Sequence, residues 1–413
     1  MTESKGTGTA SALEGLRVLD LTGPMGMYCG KLLADLGADV IMIEPLDGSP
    51  VRRLPPFYRD DPSPDHSLVH WHFNTNKRGV TLDITKRDGQ ELFRTLAKSA
   101  DVVLETFAPG YLANLGLGYP DLERLNPRII LTSVTPFGQT GPYKDFLGEE
   151  LIGQAAGGLL WMCGFPDQPP VMMGGWPAMH QAGAEAAGAT LIAEYAREAS
   201  GQGQHVDVSV QACIPLTLMC SMPEYYATGV QRQPRVGDGH FSALNGMFAT
   251  SDGYADIRFR GRPGQWKAFV EWLDSEGMAE DLKEEKYADP VGRRQPEMYQ
   301  HIDEIFAKFI RRFPKEEAVE ITQRRGFETG AVFTAEDIVN DPQLEARGFF
   351  VEVDHPELAQ SFKYPGGPYT LKGSPWRLRH RAPLLGEHNA EVYGSELGMS
   401  SADLTTLRAE HMI

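Results

Sequence analysis

Short apolar runs alternate with helical stretches through the first third of the chain, and this alternation constrains its fold more than any other feature. Five runs with the length of buried strands lie at residues 16–21, 39–44, 80–84, 101–105 and 129–134. Stretches with a helical repeat lie between them, at 27–36, 87–97 and 122–125. Strand–helix–strand crossovers produce parallel strands. The pattern therefore predicts an α/β fold, with a large Rossmann-like, doubly wound lobe over residues 13–229.

Two segments of this lobe stand out beside the strands. Residues 47–67 are rich in Pro, Asp and Arg and lack periodicity, which is typical of a long functional loop at the rim of a site. Small residues recur at helical spacing at 149–157 and 181–199, which favours closely packed helices. An apolar helix is expected at 211–226.

The texture of the sequence changes after residue 229. Two extended runs surround a Ser-Asp-Gly turn within 246–259, which predicts a β-hairpin. Amphipathic helices are expected at 265–273 and 296–313, so residues 230–340 are interpreted as a smaller α+β lobe.

The two ends of the chain are predicted from composition and pattern. Residues 341–413 are expected to form a return linker and a C-terminal helix at 401–408 that packs on the large lobe. Residues 1–12 lack an apolar core and are expected to be a disordered lead rather than a secretory signal.

Charge and length exclude several function classes. The formal net charge of −17 disfavours nucleic acid and anionic membranes as partners, because both require a basic surface. No apolar run approaches the ~20 residues that cross a bilayer. At 413 residues, the chain exceeds the size of one ordinary hydrophobic core, so two lobes are expected.

The cysteines indicate a reducing compartment. They lack CxxC pairs and metal-ligand spacing, and each lies in an apolar stretch, at Cys29, Cys163, Cys213 and Cys220. We therefore expect a cytoplasmic protein with no metal site, in which Cys29 is a small core residue.

A series of short motifs carries a family resemblance. The run Ala-Gly-Ala-Glu-Ala-Ala-Gly at 182–188 leads to Gly-Gln-Gly-Gln-His-Val-Asp-Val-Ser at 201–209. Further segments occur in order at 32–41, 76–78, 116–119, 137–143, 341–344 and 385–388. In these segments the chain resembles the family III CoA-transferases (the CaiB/BaiF family) over nearly its whole length. The resemblance implies two subunits threaded through each other, and either CoA exchange between a thioester and a free carboxylate or racemisation of 2-methylacyl-CoA.

The resemblance places Met179 where the family has its nucleophilic aspartate, four residues before the glycine equivalent to Gly183. A thioether cannot form a mixed anhydride with an acyl group, so Met179 cannot supply that nucleophile. Glu149 and Glu150 are the substitute candidates, and one of them is expected to cap the following helix. The racemase histidine and aspartate correspond to Glu149 and Met179, which disfavours racemisation. His180 is interpreted as structural.

The resemblance also implies a set of CoA-binding positions. These are Met25, Gly26, Asn76, Lys77, Arg78, Thr106, Phe107 and Asn114. Lys77 and Arg78 have the charge to bind the phosphates of CoA. Thr106 and Asn114 replace an asparagine and a frequently basic residue of the family, which weakens that binding. CoA thioester is expected as substrate, with no tightly bound cofactor.

Three functions follow from a family scaffold without its nucleophile. The chain is a non-nucleophilic subunit of a heteromeric CoA-transferase, whose homologous partner supplies the aspartate and which moves CoA between succinyl-CoA and a dicarboxylic acid such as benzylsuccinate. Alternatively, it is a self-sufficient CoA-transferase or acyl-CoA lyase that uses Glu149, Glu150 or a bound water. The third hypothesis is a non-catalytic protein that binds CoA esters.

Overall fold

The structure, a computed structural model, describes residues 10–218, 221–229, 237, 239–240 and 242–413. The chain divides into two compact units, the first from Met1–Leu160, Met172–Ala227 and Gln343–Ile413 and the second from Trp161–Val171 and Thr228–Pro342. Residues 161–171, placed in the large lobe by their sequence, thus make their contacts within the second unit. Most of the expected disordered lead, at 1–9, and Cys220 lie outside the described residues.

The first unit is built on a six-stranded parallel sheet with strand order β3-β2-β1-β4-β5-β6. The strands are β1 (Arg17–Leu21), β2 (Asp39–Glu44), β3 (Arg78–Thr81), β4 (Val102–Glu105), β5 (Ile130–Thr135) and β6 (His205–Ser209). The predicted α/β class is confirmed. The direction of strand addition reverses between β1 and β4, and such a switch point opens a crevice at the carboxyl ends of the strands.

Two strands differ from the prediction. The third strand spans Arg78–Thr81 rather than the predicted 80–84. Arg78 and Gly79 pair with β2, but neither has the apolar side chain on which the prediction relied. The sixth strand, with its alternating polar residues, was not predicted from hydrophobicity.

Helices cover both faces of this sheet. They are α1 (Met27–Asp35), α2 (Leu68–Phe73), α3 (Arg87–Ala97), α4 (Tyr111–Asn114), α5 (Tyr119–Leu125), α6 (Glu150–Ala156), α7 (Pro177–Ser200), α8 (Val210–Cys213) and α9 (Ser221–Thr228). The expected single helix at 211–226 is wrong: a 3₁₀ turn at Ile214–Thr217 interrupts it, where Pro215 cannot donate a helical hydrogen bond. None of the helices within the described ranges is long and apolar enough to cross a bilayer.

Alternate side chains of the strands feed two separate cores, as a pleated sheet requires. Leu19, Val103 and Leu131 pack on the α3 and α5 side. Val18, Val102 and the alanines of α7 pack on the other. A Cβ added to Gly183 would lie 2.8 Å from Tyr28 Cβ, so a glycine is required where α7 crosses α1.

The second unit is an antiparallel sheet with helices. Its elements are β7 (Asn245–Ala249), β8 (Tyr254–Arg258), α10 (Gln265–Ser275), α11 (Pro296–Ile310), α12 (Lys315–Gln323), β9 (Glu328–Ala331) and α13 (Ala335–Val339). The predicted hairpin within 246–259 is confirmed by the pairing of β7 with β8. Buried aromatic side chains, including Phe248, Phe269 and Phe306, form its core.

The final segment returns to the first unit. It contains α14 (Pro342–Ala346), β10 (Phe350–His355), β11 (Gln360–Pro365), a π-helical turn (Ala390–Glu396) and α15 (Ser401–Ala409). The antiparallel hairpin of β10 and β11 was not predicted, and α15 packs against the α3-side core through Leu404.

Side chains of this final segment satisfy the free edge of β3. The Gly79 and Thr81 backbone nitrogens donate to His388 Nδ1 at 3.1 Å and to Asn389 Oδ1 at 2.9 Å. The Tyr393 hydroxyl donates to the Thr81 carbonyl at 3.0 Å. The edge is thus closed without a further strand.

Arg52 fixes the long loop at 47–67. Its guanidinium is fully buried and donates to Glu44 twice at 2.7 Å, to Asp65 at 2.7 Å and to the Pro383 carbonyl at 3.1 Å. The loop is thereby joined to the end of β2 and to the final segment.

Candidate active site

Met179 lies in the first turn of α7, and Glu150 caps that turn. The expected cap on the directly following helix is wrong, because Glu149, the N-cap residue of α6, makes no side-chain capping bond. The Glu150 carboxylate accepts hydrogen bonds from the backbone nitrogens of Ala178 at 3.0 Å and Met179 at 2.9 Å, and from Gln154 Nε2 at 2.7 Å. The residue at the N-cap position, Trp176, makes no capping bond of its own. The negative charge of Glu150 therefore stabilises the positive end of the helix and satisfies its free N–H groups.

The Met179 side chain lines a narrow cleft. We call this the Met179 cleft; its lining residues are Met25, Pro136, Glu149, Gly153, Met179 and Val210. The cleft leaves no room for a water molecule between these residues. The fold thus brings together Met25, Glu149 and Met179, which are far apart in the sequence. Glu149 is exposed, whereas Glu150 is buried in its cap.

His180 follows Met179 and is held by an aromatic pair. Its Nδ1 lies 2.9 Å from the Trp176 carbonyl, to which it donates. Its ring centroid is 4.9 Å from that of Tyr28 and 5.4 Å from that of Phe73. These contacts agree with the interpretation of His180 as a structural residue.

A cavity of about 600 Å³ lies at the switch point between β1 and β4. We call it the carboxyl-edge cavity; its walls are the segments that follow β1, β2, β3 and β4, at 21–24, 42–47, 49–50, 82–85, 106–107 and 111. Apolar side chains dominate these segments. Glu44, Asp47 and Asp83 contribute carboxylates, and no lysine or arginine is among the lining residues. Position and size are those of a ligand pocket in a doubly wound fold.

Two predicted CoA-binding residues, Thr106 and Phe107, line this cavity. The Thr106 hydroxyl accepts a hydrogen bond from the Gly23 nitrogen at 2.8 Å, which joins the turn after β1 to the end of β4. A Cβ on Gly26 would lie 2.6 Å from Thr22 Cγ2 and 2.8 Å from Thr106 Cγ2, so the turn requires a glycine there. Asn114 is exposed on α4 and outside the lining.

The other predicted CoA-binding residues lie at the opposite ends of the strands. Asn76, Lys77 and Arg78 line a second cavity of about 840 Å³, beside the residues that precede β1 and β2. The predicted set is therefore divided between the two edges of the sheet within this chain, and its contacts with CoA stay predictions.

The polar groups of this trio have partners within the protein. Lys77 Nζ is buried, 2.7 Å from Asp20 Oδ2. The Arg78 guanidinium donates to Asp39 at 2.7 and 2.8 Å. Lys77 and Arg78 therefore neutralise carboxylates of the sheet and hold its strands together. This structural role competes with the binding of phosphate.

Sequence reasoning missed Glu105, the last residue of β4. It is buried, and its Oε2 accepts a hydrogen bond from the Phe107 nitrogen at 2.6 Å. Burial raises the pKa of Glu105 to about 7, against the opposing effect of hydrogen bonds from Ser133 and Phe107. Its one sequence signal is the presence of a carboxylate at the end of an apolar strand.

The Cys29 thiol and the potential metal ligands show no arrangement for catalysis in the described residues. Cys29 is buried, and burial raises the pKa of its thiol, which disfavours the nucleophilic thiolate. Within the described ranges, no group of His, Cys, Asp or Glu side chains is arranged to hold a metal ion.

The comparison with protein families decides between the possible relatives of this fold. The family model described as "CoA-transferase family III" matches residues 13–389. The chain belongs to this family. The resemblance inferred from the motifs is thereby confirmed, and CoA thioesters are the substrates of such enzymes.

Relatives of this chain are named as CoA-transferases that use succinyl-CoA. It is 36% identical to "Succinyl-CoA:(R)-benzylsuccinate CoA-transferase subunit BbsE" of Thauera aromatica, over 91% of this chain and 92% of that protein. It is 32% identical to "Succinyl-CoA--D-citramalate CoA-transferase" of Chloroflexus aurantiacus, over 97% and 98%. A crystal structure of a CaiB/BaiF family protein from Brucella suis matches with a TM-score of 0.84 and 29% identity, over 94% of this chain and 99% of that one.

Proposed function

We propose that this family III CoA-transferase chain is the non-nucleophilic subunit of a heteromeric cytoplasmic enzyme. The observation that carries the proposal is the Glu150 cap. The family resemblance puts the nucleophile at Met179, and the carboxylate that reaches this position is bonded to the backbone of Ala178 and Met179. The chain thus keeps the scaffold of the site and lacks its reactive group.

The partner is a homologous subunit with an aspartate at the position of Met179. That aspartate attacks the carbonyl of succinyl-CoA and displaces the CoA thiolate, which then attacks the aspartyl carbonyl of the mixed anhydride and releases succinate. A carboxylate of the dicarboxylic acid, such as benzylsuccinate, attacks the resulting aspartyl thioester and displaces the thiolate again. The thiolate finally attacks the acceptor carbonyl of the second anhydride, which gives the new CoA thioester and frees the aspartate. The relative from Thauera aromatica, which is named as a subunit for this reaction, supports both the heteromer and the substrate class. The two subunits are interlocked, as the family resemblance implies.

The carboxyl-edge cavity is the place for part of a CoA thioester in this subunit. Its apolar walls with Phe107 and Tyr111 suit the adenine ring. The lining supplies no cation for the phosphates, and the cations that pair with its carboxylates, such as Arg52 with Glu44, are already engaged. CoA therefore needs a cation from outside the lining, which a partner subunit would provide.

Co-expression with the homologous subunit tests the proposal. Each chain is purified alone and both together, and CoA transfer from succinyl-CoA to benzylsuccinate and other dicarboxylic acids is assayed. We expect activity only from the mixture, and its loss when the partner's aspartate is replaced by asparagine. Activity from this chain alone would overturn the proposal.

Glu149 supports a second candidate, a self-sufficient CoA-transferase or acyl-CoA lyase, because it is exposed and lines the Met179 cleft. In that case this chain converts its substrate without a partner, and Glu149→Gln lowers the reaction rate by at least ~100-fold. Glu150→Gln is the comparison, since it changes the same group within the cap.

A further inference from the structure

A line of polar side chains crosses three adjacent strands, from the last residue of β4 through β5 to the first residue of β6. In the register of the sheet, Glu105 on β4 lies opposite Ser133 on β5, and Ser133 lies opposite Asp207 on β6. His205 is on the same face of β6, and its Nε2 lies 2.9 Å from Ser133 Oγ. Ser133 also lies beside the Glu105 carboxyl on the neighbouring strand, where its hydroxyl favours the ionised form and so opposes the rise in the Glu105 pKa. A line of adjacent polar side chains therefore runs from Glu105 through Ser133 to His205, with a hydrogen bond between Ser133 and His205.

The two ends of this line are in different surroundings. Glu105 and Ser133 are 5% and 1% exposed, whereas His205 is exposed. At its buried end, Glu105 holds the Phe107 nitrogen at 2.6 Å, and Phe107 is a wall of the carboxyl-edge cavity. The line thus connects solvent to the wall of a candidate ligand pocket.

We propose that Glu105 is a positioning residue that holds the Thr106–Phe107 wall of the carboxyl-edge cavity, and that Ser133 and His205 carry protons between Glu105 and solvent. The wall is then set in one geometry by the carboxylate and is loosened when the carboxyl is neutral. The effect on CoA binding rests on the proposed function of that cavity.

The chemistry of the hydrogen bond supports the coupling. A carboxylate accepts a backbone N–H roughly twice as strongly as a neutral carboxyl does. Burial raises the pKa of Glu105 to about 7, so both forms are populated near neutral pH. Protonation adds one hydrogen to the carboxyl, and that proton can donate to Ser133 while Ser133 donates onward to His205.

The groups that surround this line are few within the described part of the chain. Asp207 on β6 disfavours the ionised form of Glu105. Tyr119 on α5 stacks on the His205 ring at 5.9 Å and donates to Glu123. Burial lowers the pKa of His205, and the nearby Asp207 opposes this shift. A neutral imidazole that both accepts and donates is what proton passage requires.

The first test does not depend on CoA. In protein labelled with ¹⁵N-phenylalanine, the Phe107 amide resonance, assigned with Phe107→Tyr, is followed from about pH 5.5 to 8.5. We expect it to titrate with a midpoint near 7, and to lose this midpoint in Glu105→Gln. Ser133→Ala should raise the midpoint, because the Ser133 hydroxyl favours the ionised carboxylate. A resonance that does not titrate in the wild type, or titrates unchanged in Glu105→Gln, would overturn the proposal.

The second test measures the Kd of CoA by calorimetry over the same pH range, with the partner subunit present. We expect affinity to fall roughly fivefold as the pH drops below 7, and to become independent of pH in Glu105→Gln. Glu91→Gln removes an exposed carboxylate on α3 and should behave as the wild type. Binding with the same affinity at every pH in the wild type overturns the proposal. Absence of binding at any pH, with Phe107 still titrating, contradicts the proposed function and supports the Glu105 coupling.

Discussion

The Glu150 carboxylate lies 2.9 Å from the backbone nitrogen of Met179. An acid is therefore present beside the position at which the motif resemblance places the family's nucleophile, and it is bonded to the peptide that carries the methionine. A carboxylate that accepts two backbone N–H groups at a helix terminus is strongly held as a cap. It is poorly placed to leave that cap and attack a thioester.

Glu150→Ala should destabilise the protein by about 2 kcal/mol, because it leaves buried N–H groups of α7 without an acceptor and removes one of the two acceptors of the Gln154 amide. Urea unfolding measures this change. Glu149→Ala is the matched control at an exposed carboxylate and should change stability by less than ~0.5 kcal/mol. Equal effects of the two changes would contradict the assignment of the cap.

Met179→Leu should leave the activity of the assembled enzyme within about twofold, because the proposed role of Met179 is packing and leucine has nearly its volume. The assay is CoA transfer by the mixture of both subunits. A loss beyond about tenfold, with normal assembly by size-exclusion chromatography, would mean that the thioether takes part in binding or catalysis.

Lys77→Met should lower the unfolding free energy by roughly 3–5 kcal/mol, because it strands the buried Asp20 without its counterion. The double variant Lys77→Met/Asp20→Asn should recover much of that loss, as a double-mutant cycle in urea would show. If Lys77→Met instead unfolds like the wild type but loses CoA affinity, its lysine serves the ligand rather than the sheet.

Arg52→Met should destabilise by roughly 3–5 kcal/mol, since Glu44 loses both of its hydrogen bonds from the guanidinium in a fully buried site. Arg53→Met removes the neighbouring, exposed arginine and should cost less than ~1 kcal/mol. Proteolysis of the loop at 47–67 should accelerate in the Arg52 variant alone.

Glu105 should make stability depend on pH with a defined sign. Its pKa in the folded protein is raised to about 7 from an ordinary 4.5, so its contribution is present below 4.5 and lost as the pH rises through 7. In Glu105→Gln this position does not titrate. Between about pH 5.5 and 8.5, the unfolding free energy of the variant should therefore rise relative to that of the wild type by on the order of 2 kcal/mol. Thermal or urea unfolding of both proteins at the two pH values measures this difference.

Hydrophobic periodicity predicted most of the first unit, because strands buried on both faces and the helices between them leave strong local signals. The second strand and the third helix have the predicted bounds. The sixth strand escaped because His205 and Asp207 interrupt its apolar pattern. Register across a sheet is a long-range property, so the hairpin of β10 and β11 was also missed.

The candidate site was predicted only in part. Motif resemblance picked out Met25, Glu149 and Met179, and the fold brings them to one cleft. It gave no information about side-chain partners, so the burial of Lys77 against Asp20 came only from the structure. Glu105 lacked any motif, since its significance lies in contacts with Ser133 and Phe107 across neighbouring segments.

The closure of β3 by His388, Asn389 and Tyr393 has a consequence for biosynthesis. A ribosome makes these residues about 300 positions after the strand they complete. Until then, the nascent sheet presents bare hydrogen-bonding groups that another unfinished chain can pair with. A truncated mRNA that ends before these residues would therefore produce an aggregation-prone polypeptide, even when its first strands have already folded.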